Sequence, residues 1–429
     1  MVVSLGGVDD LHLNFYNKIL HLHLSFPETG QRIKMEGEFN NFMMVWFSVL
    51  VSLSYCYGVA KLVPVGIPRL FFIFPIVILF FLLPLKLSTI HLGGGTAFFI
   101  TWLGSFKLLL FIFGKGPLAL DPSMSLGKFL AIACLPIEIR QNPSPNLHPN
   151  RENREIPPPK PLKRPEKIQL GIKNPSLPNP NQNGKIKENP PQKSGSKSPL
   201  LVYAMKGLLL AVLVHALGYK EHFHQKVILA LNCLLIYILL EILLSTVAFT
   251  VRVLLGLEIE PHFNDPLLST SLQDFWGKRW NLMVSRVLRP TVYEPIISFS
   301  ELFIGREWAP LPAIMGTFLV SGLMHELIFY YMGRVRPTWE VTWFFFLHGL
   351  CLAVEIVLKK KLVLVFPGRW RLPWMIPTVL TLGFLMETCY WLFFPQFLRC
   401  NADVRIIQEY ADFGAFLKSI SQKFASLVR

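Results

Sequence analysis

Charge is scarce in this chain. Only 16% of its 429 residues are Asp, Glu, Lys or Arg, against about 25% in ordinary soluble proteins. That shortage argues against a cytosolic globular enzyme. A disordered scaffold is also excluded, because 52% of the residues are hydrophobic and unfolded chains lack such content. None of the six cysteines forms a C-x-x-C pair, and most lie in apolar runs. They read as small buried hydrophobes, not as a disulfide framework or a zinc site. No Asn-x-Ser/Thr sequon offers a glycosylation marker. A P-loop, a dinucleotide fingerprint and a G-x-S-x-G elbow are all missing, so an ATP- or NAD-driven reaction is not indicated. No internal repeat is evident, which weakens the case for a transporter built from repeated halves. Residues 1–34 show no clean apolar core followed by small residues, so no signal peptide is expected and the first span would act as the internal targeting signal.

Long apolar runs are what the chain has in plenty. A membrane-crossing helix needs about 20 mostly apolar residues. Eight segments qualify, at about 41–62, 67–85, 94–113, 201–218, 226–250, 308–332, 339–358 and 374–397. The shorter runs 125–139 and 291–304 read as interfacial or re-entrant helices. Gly93-Gly94-Gly95 is a glycine run on which helices can pack. The expected fold is all-α, a polytopic membrane bundle of about eight transmembrane helices plus interfacial amphipathic helices.

The net charge of +15 is concentrated. From Arg140 to Pro199 there are 12 Lys or Arg and 4 Glu, hence +8, together with 14 of the 33 prolines and no aromatic residue. Base stacking on such a segment is not expected, so no nucleic-acid partner is inferred. It reads as an extended basic loop beside anionic membrane lipids. The organisation is then a leader at 1–34, poorly ordered, an N-terminal transmembrane group at 35–139, the disordered loop at 140–199, a C-terminal catalytic group at 200–410 and a tail at 411–429. With eight spans, the basic loops 140–199 and 251–307 fall on one side with Lys359, Lys360, Lys361, Arg369 and Arg371, which the positive-inside rule makes cytosolic. Arg334 and Arg336 then face the opposite side, against the rule.

Ionisable residues inside spans are costly and so mark candidate function. The candidates of this kind are His215, Glu241, His325, Glu326, His348, Glu355 and Glu387. His325 stands out, because Ser321 and Gly322 lie one helical turn back on its face and leave room for a substrate chain. A neutral imidazole there can take a proton from a hydroxyl. Packing against a neighbouring helix is the other reading, and spacing alone leaves both open. His325-Glu326 begins like H-E-x-x-H, but Phe329 occupies the fifth position, so a zinc protease is rejected. A metal pair of His325 with His348 has no sequence support.

The second dense region is Asn264–Arg289, too polar to span. Asp274 and Lys278 stand at an i,i+4 spacing that supports one amphipathic interfacial helix. Trp276 and Trp280 suit the headgroup level. Lys278 and Arg279 are candidates to hold the phosphates of a cytosolic cosubstrate. Asn281, 44 residues before His325, is a neutral amide able to orient a reacting group or donate to an oxyanion.

Ser271–Asn281 (SLQDFWGKRWN) and Ser321–Gly349 (SGLMHELIFYYMGRVRPTWEVTWFFFLHG) resemble the plant wax synthase branch of the membrane-bound O-acyltransferases, as does Tyr390–Gln396. The resemblance runs from Met35 to about Tyr410. It implies an endoplasmic-reticulum enzyme moving a fatty acyl group from acyl-CoA, a cosubstrate and not a cofactor, to a lipid hydroxyl in a chamber crossing the membrane. The family's active histidine and asparagine match His325 and Asn281. By resemblance His325 is the general base, and Asn281 orients the acyl donor or stabilises the tetrahedral oxyanion. Asp274, Trp276, Lys278, Arg279, Trp280, Ser321 and Gly322 are the candidate substrate-binding residues. Two departures stand out: family members tend to begin near Met35, and the loop at 140–199 is longer than usual. The expected acceptor is a long-chain fatty alcohol, giving wax esters, with a sterol or diacylglycerol as alternatives. Outside the enzyme class stand a transporter with an intramembrane His/Glu relay and an inactive lipid-binding relative. Oligomeric state is not legible.

Overall fold

The computed structural model describes residues 35–119, 121, 123–135, 199–219, 222–256, 260–365 and 373–427. The expected leader 1–34, the basic loop up to residue 198, Arg369 and Arg371 lie outside the described residues. The chain forms two compact units, Met1–Arg140 with Leu208–Arg429, and Gln141–Gly207. Of the second, only 199–207 is described, as the start of a helix.

Every regular element among the described residues is helical. They are α1 (Met35–Leu62), α2 (Ile67–Leu82), α3 (Ile90–Ile112), α4 (Leu126–Cys134), α5 (Pro199–Leu217), α6 (Gln225–Leu255), α7 (Leu282–Leu288), α8 (Glu294–Ile304), α9 (Pro310–Gly333), α10 (Glu340–Val365), α11 (Met375–Thr388), α12 (Phe394–Arg399) and α13 (Ala402–Leu427). Seven helices are long and apolar enough to cross a membrane: Gly37–Leu62, Ile67–Lys86, Ile90–Ile112, Gln225–Leu254, Pro310–Gly333, Glu340–Lys361 and Met375–Arg399. They correspond to seven of the eight expected segments. The remaining one, 201–218, lies in α5, whose described apolar part, Ala204–Leu217, is shorter than a span. The protein is a multi-pass helical membrane protein.

The third span is the central one. In its apolar window 83% of residues are buried, against 39% or less in the other six. It is not a uniform α-helix: Ile90–Gly94 and Ala97–Gly104 are π-helical, with Ser105–Ile112 closing it as α-helix. π turns are rare and concentrate at functional sites. The glycine run at its start is packed, as a Cβ on Gly94 would stand 3.1 Å from the Met332 sulfur. Fully buried Lys107 sends Nζ to the carbonyls of Ile132 (2.6 Å) and Leu135 (2.7 Å), fixing the C-terminal end of α4. The charge meets the negative end of a helix, which reduces its cost inside the bundle.

Two carboxylates cap the N-terminal end of α3, where backbone N–H groups have no intrahelical partner. Glu38 on α1 accepts from the Ser88 and Thr89 amides at 2.7 and 2.8 Å. Glu409 on α13 accepts from the amides of Ile90 (2.6 Å) and His91 (3.0 Å) and from His91 Nδ1 (2.7 Å).

Helices α9 and α10 approach closely. A Cβ on Gly322 would lie 3.0 Å from Thr342 Cα and 3.4 Å from Phe345 Cβ. The interfacial segments expected at 125–139 and 291–304 contain α4 and α8. On α8, Phe299, Leu302 and Phe303 are 65%, 78% and 71% exposed, an apolar edge suited to lipid.

Candidate active site

A cavity of about 640 Å³ lies between α3, the polar segment at 273–293, α9 and α10. Ile314, Thr317, Phe318, Ser321 and His325 line it from α9. Their spacing of 3, 4, 7 and 11 residues places them on one face of the helix. Trp102 lines it from α3 and Phe345 from α10. Trp276, Lys278, Trp280 and Asn281 come from the polar segment. His325 and Asn281, 44 residues apart, therefore share one chamber.

The His325 ring is held on three sides. Phe345 stacks on it at 4.3 Å between centroids and 28° between planes, Trp102 meets it edge-on at 5.0 Å and 81°, and Phe393 stands 6.1 Å away. Nδ1 lies 2.7 Å from the Ser321 carbonyl oxygen. A carbonyl only accepts, so in the neutral ring Nδ1 carries the proton and Nε2 keeps its lone pair. That tautomer makes Nε2 the basic nitrogen of the ring.

His348 is different. It is fully buried, does not line the cavity, and lies with Nε2 2.8 Å from Thr388 Oγ1. The Thr388 hydroxyl donates to the Phe384 and Leu385 carbonyls at 2.8 and 3.0 Å. The same hydroxyl is within hydrogen-bond reach of His348 Nε2, and His348 Nδ1 is buried with no partner among the described residues.

The polar segment is not the single amphipathic helix expected. It runs through a 3₁₀ turn at Pro266–Leu268, a short turn at Leu272–Asp274, a π turn at Phe275–Arg279, an extended Trp280 and a left-handed Asn281 before α7. In the wide turn the Trp280 amide donates to Phe275 O at 2.9 Å. Asp274 consequently pairs with Arg279 (Nε to Oδ2, 2.7 Å) and not with Lys278. Arg279 Nη1 also donates to the Asn264 and Asp265 carbonyls, both at 3.2 Å. The pair clamps the loop and does not line the cavity.

The clamp delivers the next residues into the chamber. Asn281 sits at φ 39°, a region that asparagine tolerates better than most residues. Its neighbour Leu282 donates to His262 O at 2.8 Å, fixing the turn. Asn281 Oδ1 is buried and accepts no hydrogen bond among the described residues. Lys278 is exposed on the cavity wall, with Arg289 nearby along the chain. Burial pushes the Tyr293 phenol above its ordinary value, against the opposing effect of Arg289, so it stays a neutral group on the wall.

Of the nine residues singled out by sequence, six line the cavity: His325, Asn281, Trp276, Lys278, Trp280 and Ser321. Asp274, Arg279 and Gly322 do not. The small side chain of Gly322 admits α10, not open space. Trp102, Tyr293 and Phe345 line the chamber without having been singled out. An aromatic residue inside an aromatic-rich apolar run gives no signal of its own. Three other ionisable span residues have polar partners. Glu326 accepts from the Thr342 amide at 3.2 Å, Glu355 pairs with Lys359 at 2.6 Å, and Glu387 with Lys226 at 3.4 Å.

The fold and chamber define a class: a multi-span helical membrane protein enclosing a histidine and an asparagine in one cavity beside a basic loop. Residues 259–347, which contain both, match the model of the Membrane bound O-acyl transferase family. Acyl-CoA–sterol O-acyltransferase 1 of Arabidopsis thaliana is 42% identical over 387 residues, covering 90% of this chain and 99% of the relative. Probable long-chain-alcohol O-fatty-acyltransferase 1 of the same plant is 42% identical over 376 residues, covering 87% and 96%. The long-chain-alcohol O-fatty-acyltransferase of Simmondsia chinensis is 38% identical over 379 residues, covering 88% and 95%. The chain belongs to the membrane-bound O-acyltransferase family.

Proposed function

We propose that the protein transfers a fatty acyl group from acyl-CoA to a long-chain fatty alcohol in the endoplasmic-reticulum membrane, with His325 as general base. The observation that carries this reading is the Nδ1 contact with Ser321 O, which leaves Nε2 as the basic nitrogen in a chamber shared with Asn281. The acceptor hydroxyl gives its proton to Nε2 as its oxygen bonds the thioester carbonyl carbon. The tetrahedral intermediate then expels the CoA sulfur, which takes the proton back from the imidazolium. Asn281 orients the acyl donor or supports the oxyanion, and its unpartnered Oδ1 is suited to an N–H or O–H of the bound substrates. Lys278 at the wall is placed to meet cosubstrate phosphates. Asp274 and Arg279 act on the reaction by shaping the loop.

A sterol acceptor is the second reading. The relative named as a sterol acyltransferase matches at the same identity as the first-named alcohol acyltransferase. Microsomes expressing the protein, given labelled palmitoyl-CoA with fatty alcohol, sterol or diacylglycerol in parallel, separate these readings. A labelled wax ester absent from the His325→Ala control supports the proposal. A steryl ester or triacylglycerol alone replaces the acceptor. No ester from an inserted protein would favour a transporter or an inactive relative.

A further inference from the structure

Trp102 is 1% exposed, and its Nε1–H has no hydrogen-bond partner among the described residues. Buried indole N–H groups are normally paired, so an orphan on a cavity wall points to an acceptor that the cavity receives. The indole lies edge-on to the His325 ring at 5.0 Å and is carried on the π-helical stretch Ala97–Gly104 of the most enclosed span.

Trp276 offers a second orphan N–H on the same wall, but its surroundings answer it differently. Its ring lies 5.5 Å from His348, whose buried Nδ1 also has no partner among the described residues. Trp276 thus stands on the His348 side of the wall. Trp102 stands against His325 instead. The reacting centre also needs a donor. On the acyl-transfer reading His325 Nε2 is the base, and the indole of Trp102 is an unpartnered N–H donor that stands against its ring.

We propose that Trp102 is a catalytic residue whose indole N–H hydrogen-bonds the thioester carbonyl oxygen of the acyl donor. The assignment rests on the acyl-transfer reading. As the acceptor oxygen bonds the carbonyl carbon, the carbonyl π pair moves onto oxygen and the indole N–H meets the growing charge. When that pair returns, the C–S bond breaks and the sulfur leaves with the proton held on His325. An indole N–H only donates, so it favours the oxyanion over any donor group at this position.

The test uses full-length protein in microsomes or detergent, with two variants at one position. Trp102→Phe removes the N–H, and replacement of Trp102 by benzothienylalanine, which exchanges N–H for sulfur, removes it while keeping ring shape. Both are compared using two inert acyl-CoA analogues, S-(2-oxoheptadecyl)-CoA, which has a carbonyl, and S-heptadecyl-CoA, which has none. The expected result is a kcat loss of about 10²-fold with KM changed less than about threefold. The wild-type preference for the ketone analogue, about tenfold for one such bond, disappears in both variants. Unchanged kcat in the isosteric variant, or equal weakening of both analogues, overturns the assignment and leaves Trp102 as packing. Wild-type protein that forms no ester overturns the acyl-transfer reading together with it, so the two failures are distinct.

Discussion

The Nδ1 atom of His325 lies 2.7 Å from the carbonyl oxygen of Ser321, one turn back on the same helix. The ring is thus oriented by backbone, in a single tautomer, with Phe345 stacked on it. No second ionisable side chain is needed to orient the ring. The arrangement differs from a carboxylate-oriented histidine and makes the helix itself the orienting group.

Because the carbonyl and not the hydroxyl of Ser321 holds the ring, Ser321→Ala should retain kcat within about threefold, under ~0.7 kcal/mol of barrier. Gly322→Ala should behave oppositely. Its Cβ would press on Thr342 Cα and on Phe345, forcing α9 from α10 and disturbing the stacked ring. A stability loss of about 1–3 kcal/mol and a clear fall in kcat are expected. Thermal denaturation of detergent-purified variants, alongside turnover, checks both.

Neighbouring cations in the polar loop should separate by role. Arg279→Lys loses the fork that serves Asp274 and two carbonyls, so stability should fall by about 1–3 kcal/mol with activity lost as the loop opens. Lys278→Ala should leave the denaturation temperature unchanged and raise KM for acyl-CoA, more strongly at low salt. Steady-state kinetics at two ionic strengths reads the difference.

Acid should loosen the clasp between α13 and α3. Burial alone would raise the Glu409 carboxyl, but hydrogen bonds from the His91 ring and from the His91 and Ile90 amides outweigh it and hold the group below its ordinary value. Its pKa is lower folded than unfolded, so it stabilises the fold above the ordinary carboxylate range near 4.3. That contribution is lost as pH falls through the depressed folded value. Glu409→Gln should lower stability by about 1–3 kcal/mol near neutrality. Denaturation of the two proteins from pH 7 downward should converge at the acid end.

The spans were legible because apolar length is a direct requirement of the bilayer. The π-helical stretch of α3 was not, since a change from i+4 to i+5 bonding leaves no mark on an apolar run. The same limit misled the reading of Asp274. An i,i+4 partner holds only on a continuous α-helix, and the π turn at Phe275–Arg279 hands the carboxylate to Arg279. Lys107 and Arg69 lie inside their spans with no local mark of their partners. Each is satisfied by backbone carbonyls from distant or neighbouring turns, which no local spacing reveals. His325 and Asn281 were legible through the resemblance, and tertiary packing adds their common chamber.

In the proposed reaction His325 Nε2 deprotonates a lipid hydroxyl for attack on acyl-CoA. The most direct test is labelled acyl transfer by matched amounts of wild-type and His325→Ala protein with fatty alcohol as acceptor. Wax ester from wild type and a loss of at least about 10²-fold in the inserted variant are expected. Equal ester formation by both proteins would contradict that role of His325.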